Sequence, residues 1–443
     1  MKEILEGVHW KELLNNKSVE EQWSLFSTRL HSAVEKNVPH KTTGGYQGQR
    51  RKPAWMNDRV LARIKKKSAF EQFLLSKNGI NYLEYAKARN AAKTETRRAV
   101  RDYEHEVAKL AKKNPKAFYR YCNSKLKTRI GVTDLKAEDG SLLHESTDKA
   151  DAFNTFFSSV FTREDLTNVP VINKGPVEHL LCQVKITESD VYDVLRSLKT
   201  DKSPGPDNIH PRVLKECARE LAEPLTILFQ TSMKEGKIPQ EWKEANITPV
   251  YKKGSRSAVD NYRPISLTSV CCKVMERLVR KEVLEHMTSN RFLSDNQHGF
   301  VHGRSCTTQL LKVVDKLTEI LDRGGALDLI YLDFAKAFDT VPHERLLNKL
   351  ASYGIQGHAL QWIRQFLTGR RQRVGVAGNL SNWTKVLSGV PQGSVLGPVL
   401  FICYINDMPE AVRSLIYLYA DDLKIYIEVN NIIDWAALQS DLY

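Results

Sequence analysis

An α/β fold of the α+β kind, a small antiparallel sheet backed by helices, is what this 443-residue sequence predicts. Three observations carry that prediction. Leu327-Asp328-Leu329-Ile330-Tyr331-Leu332-Asp333 is apolar and rich in strand formers, so it reads as a buried strand. Leu415 to Ile427 consists of two more β-forming runs broken by Ala420-Asp421-Asp422, a hairpin pattern with adjacent carboxylates at its tip. Elsewhere apolar residues recur at three- and four-residue steps, in Val100, Tyr103, Val107 and Leu110 and again in Val191, Val194, Leu195 and Leu198, each one face of a helix.

Along the chain, residues 1–50 read as a short helical piece followed by a Gly-rich loop around Thr43-Gly44-Gly45. The helix through Val100 is expected to stop at Asn114-Pro115, because Pro disfavours helical backbone in the residue before it. Its apolar stripe can dock, while Arg97, Arg98, Arg101, Lys109, Lys112 and Lys113 on its other faces can meet phosphates. Residues 163–186 hold Pro, Asn and Gly without clear periodicity and read as a linker. Thr187 with Asp190 resembles a capping box, Asp standing where Glu or Gln is usual. Ser203-Pro204-Gly205-Pro206-Asp207 is a loop, after which helices and short strands alternate. The division expected is a basic, mostly helical region over 1–162, the linker over 163–186, and an α/β domain over 187–443.

At 42% hydrophobic and 27% charged residues the chain is globular. Its net charge of +14 favours a polyanionic partner, nucleic acid or an anionic membrane. Residues 50–129 hold 23 Lys or Arg against 7 Asp or Glu, so this one segment carries the whole excess. A run of charge is most often a solvated helix face, but here few acids are interleaved to neutralise it. No apolar run approaches the ~20 residues that cross a bilayer, which favours nucleic acid over membrane. Seven cysteines without a CxxC pair indicate neither a disulfide framework nor a zinc site, and fit a reduced intracellular compartment.

The chemistry sits in the acidic residues. Asp333 closes a strand before a helix start, and Asp421-Asp422 caps a hairpin. Asp-Asp at a turn is by itself ordinary turn chemistry. Carboxylates from two separate strands, however, can hold a pair of Mg²⁺ ions about 3.5–4 Å apart. One ion would activate a primer 3′-hydroxyl, and the other would hold a triphosphate and the departing pyrophosphate. Magnesium suits such a site because it binds through few carboxylates and completes its shell with water and phosphate oxygens.

These residues resemble a known family. Asp333 with Phe338-Asp339-Thr340-Val341, then Ser388-Gly389-Val390-Pro391-Gln392-Gly393-Ser394, then Tyr419-Ala420-Asp421-Asp422 resemble reverse transcriptase motifs A, B and C in their usual order. Tyr251-Lys252-Lys253-Gly254 with Asn261-Tyr262-Arg263-Pro264-Ile265-Ser266-Leu267, and Gln297-His298-Gly299-Phe300 with Gly303-Arg304-Ser305, are similar to the fingers motifs of non-long-terminal-repeat retrotransposons. Pro53-Ala54-Trp55-Met56-Asn57 and Phe153-Asn154-Thr155-Phe156-Phe157 resemble the region before the polymerase in jockey-like and chicken-repeat-like elements. Any one of these motifs is a weak signal, and five or six in order are specific.

The resemblance implies a right-hand polymerase with palm and fingers, preceded by a basic helical region. The activity implied is RNA-directed DNA polymerisation, adding dNTPs to a primer 3′-hydroxyl on an RNA template with a DNA primer or target. Asp333, Asp421 and Asp422 would be the catalytic and Mg²⁺-binding residues, with Asp421 and Asp333 bridging both ions and Asp422 further out. Phe338 would be a steric gate excluding a ribose 2′-hydroxyl, although most Phe are simply core. Gln392 and Gly393 would line the nucleotide pocket, and Arg263 and Lys252 would grip the triphosphate. Arg304 would contact template backbone, and the basic segment 50–129 would hold nucleic-acid backbone without reading bases. His298, His302 and His343 read as structural or surface residues, and Trp362 with Phe366 as core. The location implied is the nucleus or cytoplasm, and nothing bears on oligomeric state.

The sequence stops 21 residues past Asp422, so a thumb is expected to be absent and the piece weakly active or inactive. Three alternatives stay open. A viral RNA-dependent RNA polymerase usually carries Gly-Asp-Asp and a polar residue at the ribose, where this chain has Ala420 and Phe338. A catalytically dead, nucleic-acid-binding remnant is the second. A group II intron maturase, the third, would show a maturation domain downstream.

Overall fold

All three β-forming runs read as strand are strand in the computed structural model, which describes residues 1–39, 53–64, 68–112, 114–125, 131–137, 139–172 and 177–442. The Gly-rich loop around Thr43 and several of the basic residues, Lys52 and Lys113 among them, lie outside these. The run ending at Asp333 is half-buried to exposed, with Tyr331 67% exposed, and not the buried strand its apolar composition suggests. In chain order the strands are β1 (Leu135–Lys136), β2 (Leu142–Leu143), β3 (Glu244–Tyr251), β4 (Tyr262–Leu267), β5 (Ala326–Asp333), β6 (Arg371–Val376), β7 (Asn379–Leu380), β8 (Thr384–Lys385), β9 (Leu415–Tyr419) and β10 (Asp422–Val429).

β5, β10 and β9 form an antiparallel sheet in that order, with β10 central. Side chains alternate between faces of a strand. Ile416, Leu418, Leu423 and Ile425 accordingly share one buried cluster with Val399, Leu400 and Phe401 of the helix Gly397–Ile405. On the alternate residues, Lys424 donates to Gln309 of the helix Cys306–Asp322 at 2.6 Å. A second sheet runs β4-β3-β6-β7, with β8 also on β6. β3 is antiparallel to β4 and parallel to β6. Phe153 and Phe157 of the helix Ser146–Ser159 bury against it beside Tyr262, Ile247 and Val374. The structure is thus mixed α/β, with two antiparallel sheets, β1–β2 and β5-β10-β9, and one mixed sheet among the described residues.

The chain divides into two compact units, Met1–Pro39 with Val132–Tyr443, and His40–Gly131. This differs from the three-part division expected above. The N-terminal helix Val19–Asn37, opened by a Ser18–Glu21 capping box, belongs with the sheets. Trp23 packs edge-on against Trp242, 5.3 Å between centroids, and its Nε1–H donates to Glu241 at 2.7 Å. Nor is 163–186 loose where described. Glu164 accepts from the Glu344 and Arg345 amides at 2.9 and 3.0 Å, and Leu181 bridges to Ile355.

The second unit is helical where described: Asp58–Ile64, Ser68–Ser76, Gly79–Lys109 and Pro115–Lys125. Phe70, Phe73, Tyr82 and Tyr85 join the Ser68–Ser76 helix to the start of the long one. The long helix stops at Lys109, several residues before Pro115. Pro115 starts the next helix, where its missing N–H costs nothing, and Asn114 accepts the Ala117 amide at 3.1 Å. Thr187 caps the helix Glu188–Arg196 as expected, its hydroxyl accepting from the Asp190 amide. Among the described residues no helix is long and apolar enough to cross a membrane.

Candidate active site

β5 ends at Asp333 and β10 begins at Asp422, and the register sets these two directly opposite each other. Directly opposed residues on antiparallel strands share a face with Cβ atoms about 4.5–5.5 Å apart, and like charges there destabilise the sheet. Both are exposed. The sequence reading had Asp421 and Asp333 bridge both ions with Asp422 further out; the register, which pairs strands and places no ion, sets Asp422 opposite Asp333 and leaves Asp421 in the turn, one residue before β10.

Asp421 is half-buried at the turn, and burial is the largest cause raising its carboxyl above the ordinary value. Repulsion from Asp422 and Asp333 adds to it; a backbone hydrogen bond and the Arg263 guanidinium oppose it. The three carboxylates therefore feel one another, with one cation nearby. Because the folded chain holds this proton more tightly than the unfolded chain, stability is fullest at low pH and falls as pH rises through the raised value. Urea unfolding from about pH 4 to about pH 7 is expected to show wild type losing stability relative to Asp421→Asn as pH rises. A pH-independent difference would contradict the burial and repulsion.

Arg263 reaches this cluster from β4, where it is exposed opposite Val250 of β3. Lys252 stands one residue past β3, its amide donating to the Asn261 carbonyl at 2.8 Å and its side chain exposed. The loop Ser388–Ser394 is fastened at both ends. At its start, the Val390 amide donates to the Phe338 carbonyl at 2.7 Å and the His343 Nε2–H donates to the Gly389 carbonyl at 2.8 Å. At its end, the Ser266 amide of β4 donates to the Gln392 carbonyl at 2.8 Å. Gly393 next to it has φ 114°, and a Cβ there would lie 2.8 Å from the Ser266 carbonyl oxygen, so only glycine fits. Backbone hydrogen bonds thus tie the loop to Phe338 at its start and, at its end, to β4, the strand that carries Arg263.

Phe338 is half-buried, stacked on Phe401 at 4.7 Å and 17°, with Phe300 edge-on at 6.4 Å. One ring face is core, and the residue is fixed by it. Trp362 and Phe366 are fully buried, as the helical spacing suggested. Arg304 is anchored to its own segment. Its guanidinium donates to the Ser294 and Gln297 carbonyls at 2.6 and 2.7 Å and to Asp295 at 2.7 Å. Two of these three acceptors are backbone carbonyls, which no side-chain pattern in the sequence signals.

Among the described residues no three His, Cys, Asp or Glu side chains close into a ready-made metal group. Magnesium needs no such cage, since one or two carboxylates plus phosphate oxygens and water suffice. Hard oxygen donors held in mutual repulsion fit that ion.

Comparison with known proteins decides the family. Residues 250–439, which contain Arg263, Phe338, the loop Ser388–Ser394 and all three carboxylates, match the family described as reverse transcriptase (RNA-dependent DNA polymerase). Residues 250–439 are a reverse transcriptase domain. The chain is 27% identical over 331 residues to the probable RNA-directed DNA polymerase from transposon BS of Drosophila melanogaster, covering 70% of this chain and 36% of that protein. It is 31% identical over 268 residues to the RNA-directed DNA polymerase from mobile element jockey of Drosophila funebris, covering 58% and 29%. Against the X-element enzyme of Drosophila melanogaster it is 31% identical over 242 residues, covering 53% and 26%. The chain therefore spans between 26% and 36% of the length of these relatives. The reverse transcriptase domain is of the non-long-terminal-repeat retrotransposon type that its motifs resemble.

Proposed function

We propose that this chain carries the nucleotidyl-transfer site of a retrotransposon RNA-directed DNA polymerase, which joins dNTPs to a primer 3′-hydroxyl on an RNA template. The observation that carries the proposal is the cross-strand pair Asp333–Asp422 with Asp421 at the adjoining turn and Arg263 within reach of its charge. Unopposed, such a grouping of carboxylates is a liability to the sheet; with divalent cations and a triphosphate it becomes a charge-balanced site.

Asp333, Asp421 and Asp422 would hold two Mg²⁺ ions. Bound there, the ions would lower the pKa of the primer hydroxyl and neutralise charge on the triphosphate and leaving pyrophosphate. The protein's own part is positioning and charge placement. Arg263 would fork onto phosphate oxygens, and Lys252, on the same side of the β3–β4 hairpin by strand alternation, would add a point charge. Gln392 would offer donors and an acceptor at the nucleotide, and Gly393 would let the backbone approach it. The basic segment 50–129, including the helix Gly79–Lys109, would hold template or target backbone through phosphate contacts, and its binding should weaken as salt rises.

Phe338 would set sugar specificity. Its ring is held from behind by Phe401, so it cannot swing away from a 2′-hydroxyl. Phe338→Val is expected to lower the dNTP over rNTP preference about 10–200-fold, the range a change in one pocket wall gives. Single-nucleotide incorporation with each substrate measures this, and an unchanged ratio would assign Phe338 to the core alone. The reading as a whole is tested by Mg²⁺-dependent primer extension on an RNA template.

A further inference from the structure

We propose that Gln297 is a positioning residue that holds the carboxylate-bearing turn in its working conformation; this rests on the reading of Asp421 and Asp422 above. The sequence singles out Gln297-His298-Gly299-Phe300 as a motif, yet of its side chains only Phe300, edge-on to Phe338, meets the site as described. Gln297 is 1% exposed, and its Oε1 accepts two amides, Gly299 at 2.7 Å and Ala420 at 3.0 Å. Ala420 is the residue before Asp421. It has φ 55°, a left-handed backbone that a residue with a Cβ rarely adopts.

The segment around Gln297 is itself fixed. It runs beside β9 through Leu418 N–H to Asn296 and His298 N–H to Leu418, both 2.9 Å. Arg304 clamps the Gln297 carbonyl. Gly299 lies so close that a Cβ on it would overlap the Ala420 amide nitrogen. The turn therefore owes its shape to contacts from outside the hairpin. Without the Gln297 acceptor, the buried Ala420 N–H loses its partner, and the left-handed residue is free to relax. A relaxed turn re-aims the Asp421 side chain and separates it from Asp333 and Asp422.

The test uses the whole chain, with Mn²⁺ titrations read by electron paramagnetic resonance and primer extension alongside. Gln297→Met keeps the volume and removes the acceptor. It is expected to weaken Mn²⁺ binding about tenfold and to lower kcat with KM for dNTP little changed, while circular dichroism stays that of wild type. Gln297→Asn, one methylene short of the turn, should do the same and serves if the Met variant fails to fold. Adding Ala420→Gly to either should restore most of the affinity, because glycine takes a positive φ without strain. A role confined to general packing would not be rescued that way, so failure of the rescue overturns the proposal. So does wild-type Mn²⁺ affinity in Gln297→Met when Asp421→Asn binds weakly. Wild-type affinity in Asp421→Asn would instead overturn the carboxylate reading, and the positioning role with it.

Discussion

Asp421→Asn is expected to cut Mg²⁺-dependent primer extension about 10²–10³-fold, a loss of about 2.7–4 kcal/mol of transition-state stabilisation, as when one charge-stabilising group is taken from a site of this kind. The substitution is isosteric and leaves the turn its polar atoms. It also removes repulsion from Asp422 and Asp333 and a half-buried charge. At neutral pH the variant should therefore be at least as stable as wild type, and lost activity cannot be blamed on unfolding. Asp333→Asn should behave likewise, since it breaks the cross-strand pair from the other side. Single-turnover incorporation at saturating dNTP, with unfolding curves alongside, is the measurement. Activity equal to wild type in Asp421→Asn would remove that residue from the metal site and favour a nucleic-acid-binding remnant.

The strands and the three carboxylates were legible because strand alternation and Asp-Asp at a hairpin tip are local signals, complete within a dozen residues. Register was not. Whether Asp421 or Asp422 faces Asp333 depends on where β10 restarts, and that is set by the left-handed Ala420 and by Gln297, over a hundred residues away in sequence. The same holds for the pocket wall, where Gly393 meets Ser266 through backbone atoms that no side-chain pattern announces. Arg304 is a related case. A cation inside a nucleic-acid-binding motif invites a phosphate partner, and three of this guanidinium's five N–H groups go to protein acceptors instead. The long helix ended early for a related reason: a proline reads as a stop, but at the first helical position it is a start.

The placement of residues 1–39 was the largest departure, and Trp242 tests it. Trp242→Ala is expected to cost about 3–5 kcal/mol, the range for emptying a buried aromatic site. The residue is fully buried, edge-on to Trp23 at 5.3 Å and to Phe229 at 5.9 Å. Its Nε1–H has no hydrogen-bond partner among the described residues, so Trp242→Phe sheds an unsatisfied donor along with some volume and should cost far less. A chain of two units need not unfold in one step. The loss should therefore fall on the transition of the unit that joins Met1–Pro39 to Val132–Tyr443. Limited proteolysis of Trp242→Ala should also release the helix Val19–Asn37 early, because Trp23 loses its aromatic partner there. If the N-terminal helix belonged instead with the basic segment, its protease resistance would be indifferent to Trp242. Urea unfolding with proteolysis of the same variants separates the two arrangements.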